Sequence, residues 1–194
     1  MLGNDVIDLA DTEACHPRFD GRVFAASERA LLATSPCRDR LRWLLWAAKE
    51  SAYKASRKDD PRTMFSPARF VVALHDPASS GSGSRASVVH GARRFDVELT
   101  EGGGWVHAIA RRAGVRPPRT QAAVAARRGS DDESDAVRRL AIEALAPALG
   151  VVPERLAIRR DGRVPALWLD GRRASADLSL SHHGRFMAFA CDLP

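Results

Sequence analysis

The sequence predicts an α+β protein in which a helix packed on an antiparallel meander occurs twice. Three observations carry this: two long segments whose apolar residues recur at helical spacing, short alternating runs around them, and two polar breaks. With 194 residues the chain can bury one substantial core or two small ones, and a composition 45% hydrophobic and 28% charged is that of an ordinary globular protein.

In the first half, a short extended segment at Asp5–Leu9 precedes helices near Ser27–Thr34 and Asp39–Lys58. Strands follow at Phe70–His75, Ser87–Val89, Arg94–Leu99 and Trp105–Ala110. The polar stretch Asp76–Arg85 reads as a hairpin-type loop, and Val115–Asp135, from VRPPRT to the acidic run SDDESD, reads as a linker. The expected organisation is therefore a half at 1–114, a linker at 115–134 and a half at 135–194. In the second half, Asp135 can cap a helix that Gly150 ends at Leu149. Strands are expected near Leu156–Arg159, Leu167–Leu169, Leu178–His182 and Phe186–Cys191.

Cys15, Cys37 and Cys191 match no metal or redox spacing and are expected to be free thiols. The first residues carry Asp5 and Asp8 rather than a basic-then-apolar leader, and nowhere do about 18 uncharged apolar residues run together, so the expected location is the cytoplasm. Lys and Arg exceed Asp and Glu by 30 to 24, and the net charge of +6 favours an anionic partner: nucleic acid, a phosphorylated cofactor or an acidic protein.

Within the helix at Asp39–Lys58, Leu41, Leu44, Leu45, Ala48, Ala52 and Ala55 share one side, as packing on a sheet requires. Trp43, Trp46, Glu50 and Tyr53 gather on the other, with Lys54 beside them and Lys49 at the border. Two readings are open. Glu50 and Lys54 can form an exposed i, i+4 ion pair while the aromatic rings pack against a loop. Alternatively, a carboxylate and two lysines project into a half-apolar cleft that a metal and a phosphate chain could share.

The run Trp46-Ala-Ala-Lys49-Glu50-Ser51-Ala52-Tyr53-Lys54 resembles the W-x-x-K-E-[AS]-x-x-K signature of phosphopantetheinyl transferases. Gly3-Asn4-Asp5-Val6-Ile7-Asp8 resembles their earlier G-x-D motif, and Phe65-Ser66-Pro67 their F-x-P. Leu178-Ser179-Leu180-Ser181-His182-His183-Gly184 resembles the Ser-His motif that surfactin-type transferases carry in their N-terminal half, and Gly162-Arg163-Val164-Pro165 resembles the G-x-P turn of that half. Here both lie at the C-terminal end, so the two pseudo-symmetric halves read as circularly permuted.

The resemblance implies transfer of the 4'-phosphopantetheine arm of coenzyme A to a serine of an acyl or peptidyl carrier protein, with a magnesium ion. It implies Asp5 and Glu50 as metal ligands, Glu50 or a metal-bound water as the base, and Lys49 and Lys54 as phosphate contacts. Ile7 stands where surfactin-type enzymes have a second acid. Asp8, in the D-x-x-[DE] spacing of holo-acyl-carrier-protein synthases, is the candidate third ligand, direct or through water, provided the chain turns after Val6; a helix-capping role is the alternative. Alternation places Leu178, Leu180 and His182 on one face and Ser179 and Ser181 on the other. The resemblance gives Ser181 and His182 to a nucleotide phosphate, and Arg159, Arg160 and Arg163 are candidates for the 3'-phosphate. A monomer without nucleic-acid or membrane partners is expected. A binding-only relative and a basic nucleic-acid-binding protein are the alternatives.

Overall fold

The computed structural model describes residues 1–12, 16, 18–76, 83–115, 119–127 and 132–194; Cys15 and most of the Asp76–Arg85 loop lie outside them. Strand β1 (Leu2–Asp8) is followed by helices α1 (Phe19–Val23), α2 (Ala26–Thr34) and α3 (Arg38–Asp59). Next come strands β2 (Val71–Asp76), β3 (Ser84–His90), β4 (Arg93–Gly102) and β5 (Trp105–Arg112). Consecutive antiparallel pairing makes β2 to β5 a meander, and β1 joins its far edge to give the order β1-β5-β4-β3-β2. Helix α3 crosses this sheet on its alanine side: Leu45, Ala48, Ala52 and Ala55 bury against Phe70, Val88, Phe95 and Val106.

The small side chains let helix and strand approach closely. A Cβ added at Gly3 would stand 2.1 Å from the Ser51 carbonyl oxygen and 2.5 Å from the Ala55 nitrogen. The glycine of the G-x-D motif is thus a packing requirement that sets Asp5 against α3.

The second half departs from the expected single meander. Strand β6 (Arg119–Ala126) forms inside the stretch read as a linker and pairs with the last strand, β11 (Phe186–Leu193), which also pairs with β10 (Asp177–His183). Four alanines among its eight residues give β6 a weak strand signal of its own, and β11 supplies the pairing. Helix α4 (Glu133–Leu149) is capped by Asp132, whose carboxylate accepts from the Asp135 nitrogen at 3.1 Å, so the cap lies three residues before the expected one; Gly150 ends it at φ +67°. Strands β7 (Leu156–Asp161), β8 (Val164–Leu169) and β9 (Arg172–Arg173) make a separate three-stranded sheet. Leu145, Leu156, Leu167, Leu178 and Phe189 form the core of this half. No helix among the described residues is long and apolar enough to cross a membrane.

The halves meet along the free edge of β1. Side chains of β10, rather than a backbone ladder, take its outward N–H groups: Leu2 N donates to Asp177 Oδ2 at 2.5 Å, Asn4 N to Ser179 Oγ at 2.9 Å and Asp8 N to His183 Nδ1 at 3.1 Å. The constant offset of 175 residues means that β1 and β10 run parallel. An edge that would otherwise expose unpaired donors is closed by three alternate residues, Asp177, Ser179 and His183, with Ser181 between them accepting from the Asn4 side chain. Lys58 adds bonds to Asp177 at 2.5 Å and to the Leu178 carbonyl at 2.8 Å. Arg111 holds Asp192 at 3.0 Å, tying β5 to β11.

Candidate active site

Asp5 is almost fully buried on β1, and its Oδ1 accepts from Lys54 Nζ at 2.7 Å. Burial raises its pKa from the ordinary 3.8, with Lys54 opposing the rise. Glu50 lies one helical turn before Lys54 on α3. Its carboxyl is pushed up from 4.5 to about 7, first by burial and then by the facing Asp5 charge, again with Lys54 opposing. Lys54 is therefore bonded to Asp5, and the exposed Glu50–Lys54 pair allowed by periodicity does not form.

Asp5, buried, and Glu50, half-buried and raised by the Asp5 charge, share one ammonium, that of Lys54, whose side chain is 30% exposed, and so leave excess negative charge facing one spot. That donor set fits a hard divalent cation, which commonly takes one or two carboxylates and completes its shell with water and phosphate oxygens. Among the described residues no group of three or more His, Cys, Asp or Glu is arranged to hold a metal. The set is two acids, Asp5 and Glu50.

Asp8 does not join them. Strand β1 keeps its register with β5 from Leu2 through Asp8, so no turn follows Val6 and Asp8 faces away from Asp5. Its fully buried carboxylate accepts from Arg185 Nε at 2.8 Å, Arg185 Nη2 at 2.7 Å, the Arg185 backbone N–H at 3.0 Å and the Ala10 N–H at 3.0 Å. These bonds, the Arg185 side chain foremost, hold it well below the usual carboxylate range. The expectation of Asp8 as a third ligand is corrected to an anchor for the β10–β11 turn.

Lys49 is the second correction. It is fully buried, with Nζ 2.8 and 2.7 Å from the two carboxylate oxygens of Glu28, 2.6 Å from the Phe70 carbonyl and 3.1 Å from that of Pro67. No donor is left for a phosphate. Glu28 in turn accepts from the Val72 and Ala25 N–H groups at 2.7 Å each. A helical wheel puts Lys49 at a border; only the fold reveals the acid 21 residues earlier that draws it inward.

The aromatic residues of α3 do pack against a loop and a neighbouring helix, as the plainer reading allowed. Phe65 lies 4.6 Å from Tyr53 and 5.7 Å from Trp46 between ring centroids, and Phe19 lies 5.7 Å from Trp46. They wall one side of α3 while Glu50 and Lys54 face β1.

Alternation along β10 separates the residues of the Ser-His motif. Ser181 is buried toward β1, where its Oγ accepts from Asn4 Nδ2 at 3.0 Å, so its hydroxyl is not free in a cleft. Asn4 Nδ2 also stands 3.0 Å from His107 Nε2; burial, then the Lys54 charge, pushes that imidazole down to about 4 and keeps it neutral. His182 faces the opposite side, half exposed, 2.9 Å from Glu133 at the start of α4. There it lines a cleft of about 410 Å³ with Arg138, Arg159, Arg160 and Arg163. The structure thus brings His182 and Arg163 together in one basic cleft and Asp5, Glu50 and Lys54 in another cluster. His183, Arg185, Asn4 and His107 were not singled out from sequence. Alternation would have put His183 on the face of Ser179 and Ser181, and the bond from Asp8 shows that this face meets β1.

Residues 1–110, more than half of the chain, match the family model for the 4'-phosphopantetheinyl transferase superfamily, and the chain belongs to that family. The matched stretch carries β1 and α3, hence Asp5, Glu50 and Lys54. No curated protein matches the chain. Among solved structures, the holo-[acyl-carrier-protein] synthase of Thermotoga maritima is similar at 17% identity and a TM-score of 0.41, with 89% of this chain and 83% of that chain covered.

Proposed function

We propose that this protein transfers the 4'-phosphopantetheine group of coenzyme A to a serine of an apo acyl or peptidyl carrier protein and releases adenosine 3',5'-bisphosphate. The observation that carries the reading is the buried Asp5 facing the half-buried Glu50 beside Lys54, on the two stretches that resemble family motifs.

The serine Oγ forms a bond to the β-phosphorus as the bond from that phosphorus to the bridging oxygen breaks. Catalysis then rests on holding the pyrophosphate in line, neutralising charge on the leaving group and removing the serine proton. Asp5 and Glu50 would hold a magnesium ion, which supplies charge neutralisation on the pyrophosphate. Lys54 contributes a mobile point charge at the same place. Glu50, ionised at neutral pH once its excess negative charge is compensated, is the proton acceptor of the cluster. The basic cleft of His182, Arg138, Arg159, Arg160 and Arg163 suits the nucleotide phosphates. The net charge of +6 steers both an anionic cofactor and an acidic carrier toward the protein.

The test is to incubate the protein with apo carrier protein, coenzyme A and magnesium and to weigh the carrier. A gain of one phosphopantetheine group is expected. No gain on fatty-acid, polyketide or peptide carriers alike contradicts the reading.

A further inference from the structure

His183 has no part in the mechanism above, yet it stands at the seam where the site is built. Outward N–H groups on a strand recur every two residues, about 6.6–6.8 Å apart. On the free edge of β1, the Val6 N–H supports the Asp5 carboxylate and the next one, on Asp8, donates to His183 Nδ1 at 3.1 Å. The ring therefore stands one step along the edge from Asp5.

The bond from Asp8 decides what the ring can do. Nδ1 must keep its lone pair to accept the N–H, so the neutral ring carries its proton on Nε2. Such a ring can neither ligate a cation nor take up a proton through Nε2 without giving up the bond to Asp8. It can donate. The turn that follows is pinned from the same residue, since the Asp8 carboxylate holds both the backbone N–H and the guanidinium of Arg185. Gly184 between them, at φ +54°, has Asp8 Oδ2 and Asp11 Oδ2 each 2.7 Å from where a Cβ would stand. Backbone on both sides of the ring is fixed, which makes the donor pre-organised.

We propose that His183 is a substrate-positioning residue that donates a hydrogen bond through Nε2–H to the anion held beside Asp5. Under the reading above, on which this rests, that anion is the pyrophosphate of coenzyme A. His183 is then distinct in task from His182, which alternation sends to the arginine-lined cleft on the other face of β10.

The test measures coenzyme A affinity by calorimetry with magnesium and without carrier, so that no turnover occurs. In His183→Asn the side-chain oxygen can still accept from Asp8, but no donor reaches the Nε2 position; in His183→Gln the amide nitrogen can reach it. Coenzyme A binding is expected to weaken about tenfold or more in the Asn variant, as for loss of a hydrogen bond to a charged group, and by a few-fold at most in the Gln variant. Manganese binding measured alone should be unchanged in both. In the wild-type protein, nitrogen NMR of His183 should show a protonated Nε2 whose signal moves on adding coenzyme A, a readout that does not depend on the variants folding. Wild-type affinity in the Asn variant, loss of manganese binding, or an unprotonated Nε2 would each overturn the proposal while leaving the transferase reading intact. A wild-type protein that does not bind coenzyme A would overturn both.

Discussion

Glu50 sits near 7 because burial strips water from its carboxylate and the Asp5 charge faces it. Between pH 4.5 and 7 the folded, metal-free protein therefore binds a proton that the unfolded chain has already released, and stability falls as pH rises through that window. Asp5, raised for the same first reason, adds in the same direction. Glu50→Gln removes the penalty, so by urea unfolding without metal the variant should exceed wild type at pH 8 by on the order of 2–3 kcal/mol, with the difference gone below about pH 4.5. Equal stability at pH 8 would mean that Glu50 is not confined with Asp5. Gly3→Ala has no room against Ser51 and Ala55. It should cost about 1–3 kcal/mol in the same measurement, because β1 must move off α3.

At this scale, Asp5, Glu50 and Lys54 were legible because the strand and the helix each present them at fixed spacing. Lys49 and Asp8 were not. Their partners, Glu28 and Arg185, lie 21 and 177 residues away and are chosen by tertiary packing.

The buried Lys49–Glu28 pair fixes how α3 is rolled against α2 and the start of β2, and so where the neighbouring Glu50 points. Lys49→Met leaves the Glu28 charge buried without its cation and is expected to cost about 3–5 kcal/mol in chemical unfolding. Adding Glu28→Gln to it should restore much of the loss, because a buried pair replaced as a unit is often near neutral. An unchanged double variant would show that the pair does more than compensate itself. Among the elements, α3 and the β2 to β5 meander were readable from periodicity, since each has one apolar face. Strand β6 escaped because its alanines carry little strand preference and its pairing partner lies at the far end of the chain.

Over the whole molecule, the seam between β1 and β10 joins the halves through Asp177, Ser179, Ser181, His183 and the Asp8–Arg185 pair. The two halves should therefore unfold together. Trp168 reports on the second half and Trp43 and Trp46 on the first, while Trp105 packs at the seam against Phe186 and Ala188; fluorescence of variants keeping only Trp168 or only Trp43 and Trp46 should give coincident transitions with circular dichroism. Two separated transitions would mean that the seam is weaker than its bonds imply. Two halves were expected from the repeated helix-and-strand pattern. That they meet through a comb of side chains on an edge strand was not, because the alternation of β10 shows which residues share a face but not what that face meets.

Under the proposed function, the Asp5–Glu50 cluster performs phosphopantetheine transfer. This is tested most directly by weighing an apo carrier protein after incubation with coenzyme A, magnesium and, in parallel, wild type, Asp5→Asn and Glu50→Gln, with circular dichroism showing all three folded. Wild type is expected to add one phosphopantetheine group to the carrier serine and the two variants none. Transfer by either variant at a rate near wild type would contradict the account.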